Sequence, residues 1–185
     1  FRIVAEKEIL EHLHALGCSA DLTRLAVYRE VAGKGALLDL EWKPDEPATK
    51  GLARVVRRWD LPTGTWINAL LGGDTTWVAL RNGNVTEVLR WAAGESAPTK
   101  WIEMPSLITT LRRGASPNEL LAIADIDGRQ EIWKIATDAK KATKAVAVLG
   151  GISSFDHRGG KFVASVYRHG GYDIALTSGG VGGEA

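Results

Sequence analysis

Apolar positions along this chain come in short runs rather than helical stripes. Leu25-Ala26-Val27-Tyr28, Trp77-Val78-Ala79-Leu80, Leu121-Ala122-Ile123-Ala124 and Phe162-Val163-Ala164-Ser165 are nearly continuous in apolar character. A turn signal follows each: Gly33-Lys34-Gly35, Asn82-Gly83, Asp127-Gly128 and Gly170-Gly171. Gly and Asn tolerate the positive φ that tight hairpin turns require. Beyond each turn an acidic and apolar run leads back: Leu38-Asp39-Leu40-Glu41-Trp42, Glu87-Val88-Leu89-Arg90-Trp91, Glu131-Ile132-Trp133-Lys134 and Asp173-Ile174-Ala175-Leu176. Whether measured between turns or between the acidic residues Asp39, Glu87, Glu131 and Asp173, the unit recurs about every 42–50 residues. The first copy is looser and is followed by a polar insertion, Pro44-Asp45-Glu46-Pro47.

Each hairpin is preceded by another strand-like run ending in a turn signal: His12–Leu16, Thr65–Leu70, Leu107–Leu111 and Ile152–Phe155. Three copies continue into a fourth run, Arg54–Trp59, Thr99–Met104 and Lys144–Leu149. Four short antiparallel strands at this period describe a propeller blade. The consecutive apolar positions fit sheets covered on both faces, which stacked blades provide. The expected fold is all-β: a β-propeller of about four blades of four antiparallel strands, an arc of a larger ring. The blades span approximately 12–60, 65–104, 106–149 and 151–178, making residues 1–185 one partial propeller domain.

Composition sharpens this picture. The chain has 185 residues, 21 Gly and 7 Trp, which suits many turns with wide rings filling the space between sheets. A formal net charge of +1 gives no electrostatic case for nucleic acid or an anionic membrane. No apolar run approaches the roughly 18 residues of a membrane span. Cys18 is the single cysteine, so no intrachain disulfide forms; the compartment stays open, with the cytoplasm favoured. The chain begins at Phe1 without an initiator Met or signal-peptide pattern, as a fragment or processed product would. The last copy supplies three strands and then enters the flexible composition of Ser178–Gly183. Residues Phe1–Leu10 have three readings: the outer strand that closes a four-bladed ring, the outer strand of an earlier blade, or a short helix suggested by Ile9, Leu10, Leu13 and Leu16. Edge strands left open predict self-association.

The turn segments Ser19-Ala20-Asp21 and Ser116-Pro117-Asn118, each leading to Leu-Ala plus an aliphatic residue, carry a resemblance. They resemble the blades of prolyl-oligopeptidase-family propellers, with the last blade similar to acylaminoacyl-peptidase-like members, and those of periplasmic Tol-system propellers. WD-repeat blades are less similar, since Trp59-Asp60 occurs once. The peptidase resemblance implies a gate: a propeller covering a C-terminal α/β-hydrolase domain and admitting short peptides. The nucleophile elbow Gly-x-Ser-x-Gly belongs to that hydrolase domain, and Gly151-Ile152-Ser153-Ser154-Phe155 lacks its final Gly. The expected function is therefore a non-catalytic propeller portion of a serine peptidase. The alternative is a stand-alone scaffold that binds a protein or peptide.

Candidate chemistry is sparse, and no catalytic residue, metal or cofactor is expected. His12 and His14 would share a strand face but lack a third ligand. Asp125-Ile126-Asp127-Gly128 begins like a calcium loop, yet Arg129 and Gln130 stand where a ligand and the turn Gly belong. Gly33-Lys34-Gly35 lacks the remainder of a phosphate loop. A lactonase-type metal site would need acidic residues that the innermost strands lack. Arg57-Arg58 reads as solvated or salt-bridged. Arg112, Arg113, His157 and Arg158 follow innermost strands and are the candidate binding residues at one mouth of a channel, where they would meet carboxylates of substrate or partner. Trp42, Trp91 and Trp133 recur in one strand and read as packing between blades. Cys18 reads as a buried thiol.

Overall fold

The computed structural model describes residues 12–19, 21–31, 34–42, 53–61, 67–72, 74–126 and 128–178. Four antiparallel sheets follow one another along the chain. The first runs β1 (His12–Cys18), β2 (Arg24–Val31), β3 (Lys34–Trp42) and β4 (Ala53–Leu61), in that order. The second runs β5 (Ile67–Gly72), β6 (Thr75–Asn82), β7 (Val85–Ala92) and β8 (Thr99–Met104). The third contains β9 (Leu107–Arg113), β10 (Glu119–Asp125), β11 (Gln130–Ala136) and β12 (Lys141–Val146), again with sequential neighbours. The fourth has three strands, β13 (Ile152–Arg158), β14 (Lys161–Arg168) and β15 (Gly171–Ser178). No helix occurs among the described residues.

Two compact units divide the chain: Phe1–Leu80 with Leu89–Lys100, and Arg81–Val88 with Trp101–Ala185. In the first unit, strand alternation sends Ala26, Tyr28 and Leu37 to one face of the first sheet. There they pack with Leu61, Ile67, Val78, Leu89 and Trp91, whose indole is fully buried. The opposite face buries Val27, Ala36, Leu38 and Leu40. Both faces are covered, which is why the sequence shows unbroken apolar runs rather than alternation.

In the second unit, Leu121, Ile123, Ile132 and Val146 of the third sheet meet Ile152, Phe155, Phe162, Ala164 and Val166 of the fourth. The connection between β12 and β13 passes through Gly150 and Gly151, each at φ +91°. A Cβ at Gly150 would fall 1.9 Å from the Tyr167 carbonyl oxygen, so this turn requires glycine. The other face of the fourth sheet is open, leaving Tyr172, Ile174 and Leu176 exposed by 68%, 77% and 68%.

Several boundaries differ from the sequence reading. Leu13 and Leu16 lie in strand β1, not in a helix; the remainder of that helical reading, and both strand readings of residues 1–10, lie outside the described residues. β12 begins at Lys141, because it pairs from Ala136 onward, and it ends before the exposed Leu149. Arg112 and Arg113 end β9, and His157 and Arg158 end β13, rather than following those strands. Cys18 is exposed, not buried, since it closes β1 at its end. Outside the described residues are the 43–50 insertion, Gly33, Asp127 and the chain beyond residue 178, while the side chains of His12, His14 and Trp42 are not described.

Candidate functional site

Two concavities in the second unit carry the polar chemistry. The larger, about 580 Å³, is formed by the β12–β13 connection, the β14–β15 turn and Arg129. Val148, Leu149 and Tyr167 give it apolar walls, Arg129 and Arg168 give it guanidinium groups and His169 an imidazole, with no carboxylate in the lining. Gly150 sets its shape: the turn lies so close to Tyr167 that no side chain fits between them. His169 has φ +50° and precedes Gly170 at φ +82°, the tight hairpin turn that the Gly170-Gly171 signal predicts.

The smaller recess, about 290 Å³, lies between the third and fourth sheets. Glu119 opens β10 and is held there on two sides. Its Oε1 accepts a bond from the Ala115 amide at 3.1 Å, and its Oε2 pairs with Lys134 Nζ at 2.8 Å. Burial pushes the Glu119 carboxyl up. The bonds from Lys134 and Ala115, with the Lys134 and His157 charges, outweigh it and hold the group below the ordinary carboxylate range. Lys144 lies in the same lining and reaches the buried Glu131 at 2.6 Å. His157 stacks on Phe162, with centroids 6.0 Å apart, and its buried Nδ1 has no hydrogen-bond partner. A buried polar atom without a partner is uncommon and costly.

The first unit holds a corresponding layer in a different state. The Ser19 amide bonds to the Arg24 carbonyl as the Gly114 amide bonds to the Glu119 carbonyl, which makes Arg24 and Glu119 equivalent. Asp39 stands opposite Ala26 and Arg57, as Lys134 stands opposite Leu121 and Thr143. The pairs Arg24–Asp39 and Glu119–Lys134 thus occupy the same diagonal with charges exchanged. Asp39 is buried and accepts from both arginines: Arg24 through Nε at 2.9 Å and through Nη2, Arg57 through Nε at 2.9 Å and Nη2 at 2.7 Å. Arg57 also donates to Thr76 Oγ1, Trp91 O and Ala92 O, and lies 4.3 Å above the Trp91 ring. All three of its nitrogens are thereby engaged, so the 480 Å³ cavity beside this layer meets a guanidinium with little left to offer.

Of the four residues expected at a channel mouth, His157 lines the small recess; Arg112, Arg113 and Arg158 do not. Alternation sends Arg113 to the face opposite Leu121 and turns Arg158 away from the Phe162 side that His157 takes, while Arg112 shares the Leu121 face but lies outside the recess lining. Glu119, Lys134 and Thr143 are not singled out by the sequence, because the exchanged charge pair lines up only in the hydrogen-bond register. Arg57 is salt-bridged as expected, and Trp91 packs between strands of two sheets within its unit. Among the described residues no group of three or more His, Cys, Asp or Glu side chains could hold a metal ion.

No protein-family model matches the chain, and no curated protein matches it. Among solved structures it is similar to TolB from Acinetobacter baumannii, with a TM-score of 0.70 at 11% identity. The match covers 90% of this chain and 41% of that one, so the chain spans less than half the length of this neighbour. At such identity the likeness concerns the fold alone. With four blade-type sheets and this neighbour, the chain is all-β and has the fold of part of a β-propeller.

Proposed function

We propose that this propeller segment is a binding module for a peptide or protein segment and performs no bond chemistry itself. The carrying observation is the 580 Å³ hollow, with apolar walls at Val148, Leu149 and Tyr167 and with Arg129, Arg168 and His169 beside them. Apolar walls with a few placed polar groups are the usual makeup of a ligand site. The Arg129 guanidinium beside these apolar walls selects a segment that combines apolar side chains with negative charge. The test is fluorescence anisotropy with labelled heptapeptides alternating Glu and Leu, against the same peptides with Lys for Glu. The acidic series binds, and Arg129→Glu or Leu149→Glu weakens it at least tenfold; equal binding of both series sinks the reading.

The gate over an α/β-hydrolase domain is the second reading, favoured by the Ser-led turns at Ser19 and Ser116 before Leu-Ala runs. It predicts a Gly-x-Ser-x-Gly elbow further along the reading frame, and a stop codon shortly after Ala185 would exclude it. A serine-reactive fluorophosphonate leaves this chain unlabelled under either reading. A second copy of the chain is the partner proposed for the open β15 edge, where the fourth sheet presents Tyr172, Ile174 and Leu176.

A further inference from the structure

The polar layers of the two units differ at one decisive position. In the first unit the layer runs Arg24, Asp39, Arg57, alternating positive, negative, positive, and the third charge ties the first sheet to Thr76, Trp91 and Ala92. In the second unit it runs Glu119, Lys134, Thr143: negative, positive, and then a short neutral side chain. Thr143 has neither the length nor the charge to complete the pattern, and the 290 Å³ recess lies at this place. We infer that the recess is a carboxylate-binding subsite, in which a carboxylate from outside the chain supplies the third charge beside Lys134.

The donors present suit that group. Lys134 holds one carboxylate of the protein, Glu119, and an ammonium has three donors. The Thr143 hydroxyl adds another donor, and the otherwise unpartnered His157 nitrogen lies in the same lining residue set. Phe162, Leu121 and Ala145 provide apolar walls, which lower the local dielectric and strengthen the ionic contact. The exposed positions of Lys134 and Thr143 leave the recess open to solvent. An acidic side chain and a chain-terminal carboxylate would both fit this chemistry, and the site is independent of the larger hollow.

The experiment is a heteronuclear NMR titration of the intact chain with three capped dipeptides. N-acetyl-alanyl-glutamate amide carries only a side-chain carboxylate, N-acetyl-alanyl-alanine only a terminal one, and N-acetyl-alanyl-glutamine amide neither. At least one acid is expected to shift Thr143, Lys144 and the His157 imidazole saturably, with Kd of about 1 mM, as befits a single ionic contact. Which acid does so identifies the source. Thr143→Glu, which places a carboxylate of the chain where the ligand's belongs, is expected to weaken binding at least tenfold at an unchanged urea midpoint. Lys134→Met is the second variant, expected to lose at least fivefold. The inference is overturned if no acid saturates by 20-fold above about 1 mM, if the glutamine peptide shifts the same resonances equally, or if both variants bind as the parent does.

Discussion

Arg57 is the residue whose removal best tests the account of the first unit. Its side chain is 12% exposed and that of Asp39 1% exposed, so the pair works largely out of water. Replacing Arg57 with Met keeps the stem and its packing but removes both bonds to Asp39, those to Thr76, Trp91 O and Ala92 O, and the contact with the Trp91 ring. Breaking a buried ion pair costs about 3–5 kcal/mol. Arg24 stays on Asp39, so the expected loss is at the lower end, about 3 kcal/mol. For a chain of this size that is a fall in Tm of about 6–12 °C. Arg24 is 28% exposed and makes fewer bonds, so Arg24→Met should cost only about 1 kcal/mol. The double variant should lose more than the sum, since Asp39 would then be buried with no cation. Urea unfolding followed by tryptophan emission reads the packing around the chain's 7 Trp, Trp91 among them, and far-UV circular dichroism reads the strands. A loss below about 0.5 kcal/mol for Arg57→Met, or equal losses for the two single variants, would refute the reasoning.

Three other outcomes are expected. The Thr86 hydroxyl is buried, donating to Ser106 O at 2.6 Å and accepting from the Ile108 amide at 3.1 Å; Thr86→Val should cost about 1–3 kcal/mol in urea unfolding, because both backbone groups lose their partner. The bond from Ser19, then those from the Thr23 amide and hydroxyl, holds the exposed Asp21 carboxyl at about 2; its support of the 19–24 turn is present above its unfolded-state pKa and is lost only as pH falls through about 2, so a carbon-13 titration of Asp21 should show no midpoint above 3. Ile174→Lys, at the most exposed of the large apolar side chains of β15, should raise the monomer fraction in light scattering without lowering the unfolding midpoint; a parent chain already monomeric at high concentration would exclude pairing through that edge.

The strands were legible because their signals are local. Asn82-Gly83 and Gly170 turn the chain where tight hairpins need positive φ, and runs such as Leu120–Ala124 are buried without interruption because both faces are covered. The small recess was hidden by a slip in alignment, one residue in β10 and three in β11. Sequence likeness sets Leu25-Ala26 beside Leu121-Ala122, and Asp39 beside Glu131; hydrogen-bond register sets Leu25 beside Leu120, and Asp39 beside Lys134. In a strand, an odd offset sends every side chain to the other face. The exchanged charges therefore fell out of alignment, and Thr143 had no visible counterpart in Arg57. Arg112 and Arg113 show the same rule: adjacent residues of one strand point to opposite faces.

The exchange of charge between Arg24–Asp39 and Glu119–Lys134 bears on the fidelity of folding. Chains of similar repeats are prone to assembling a strand of one copy onto the hairpin partner of another. Were β2 to pair with β11 in the native register, Arg24 would face Lys134 across the diagonal. The complementary error, β10 on β3, would set Glu119 against Asp39, whose carboxylate has no water to screen it. Both errors bring like charges together. A single diagonal of two residues thus gives the first and third copies different addresses, so that their strands, alike in apolar pattern, are not interchangeable.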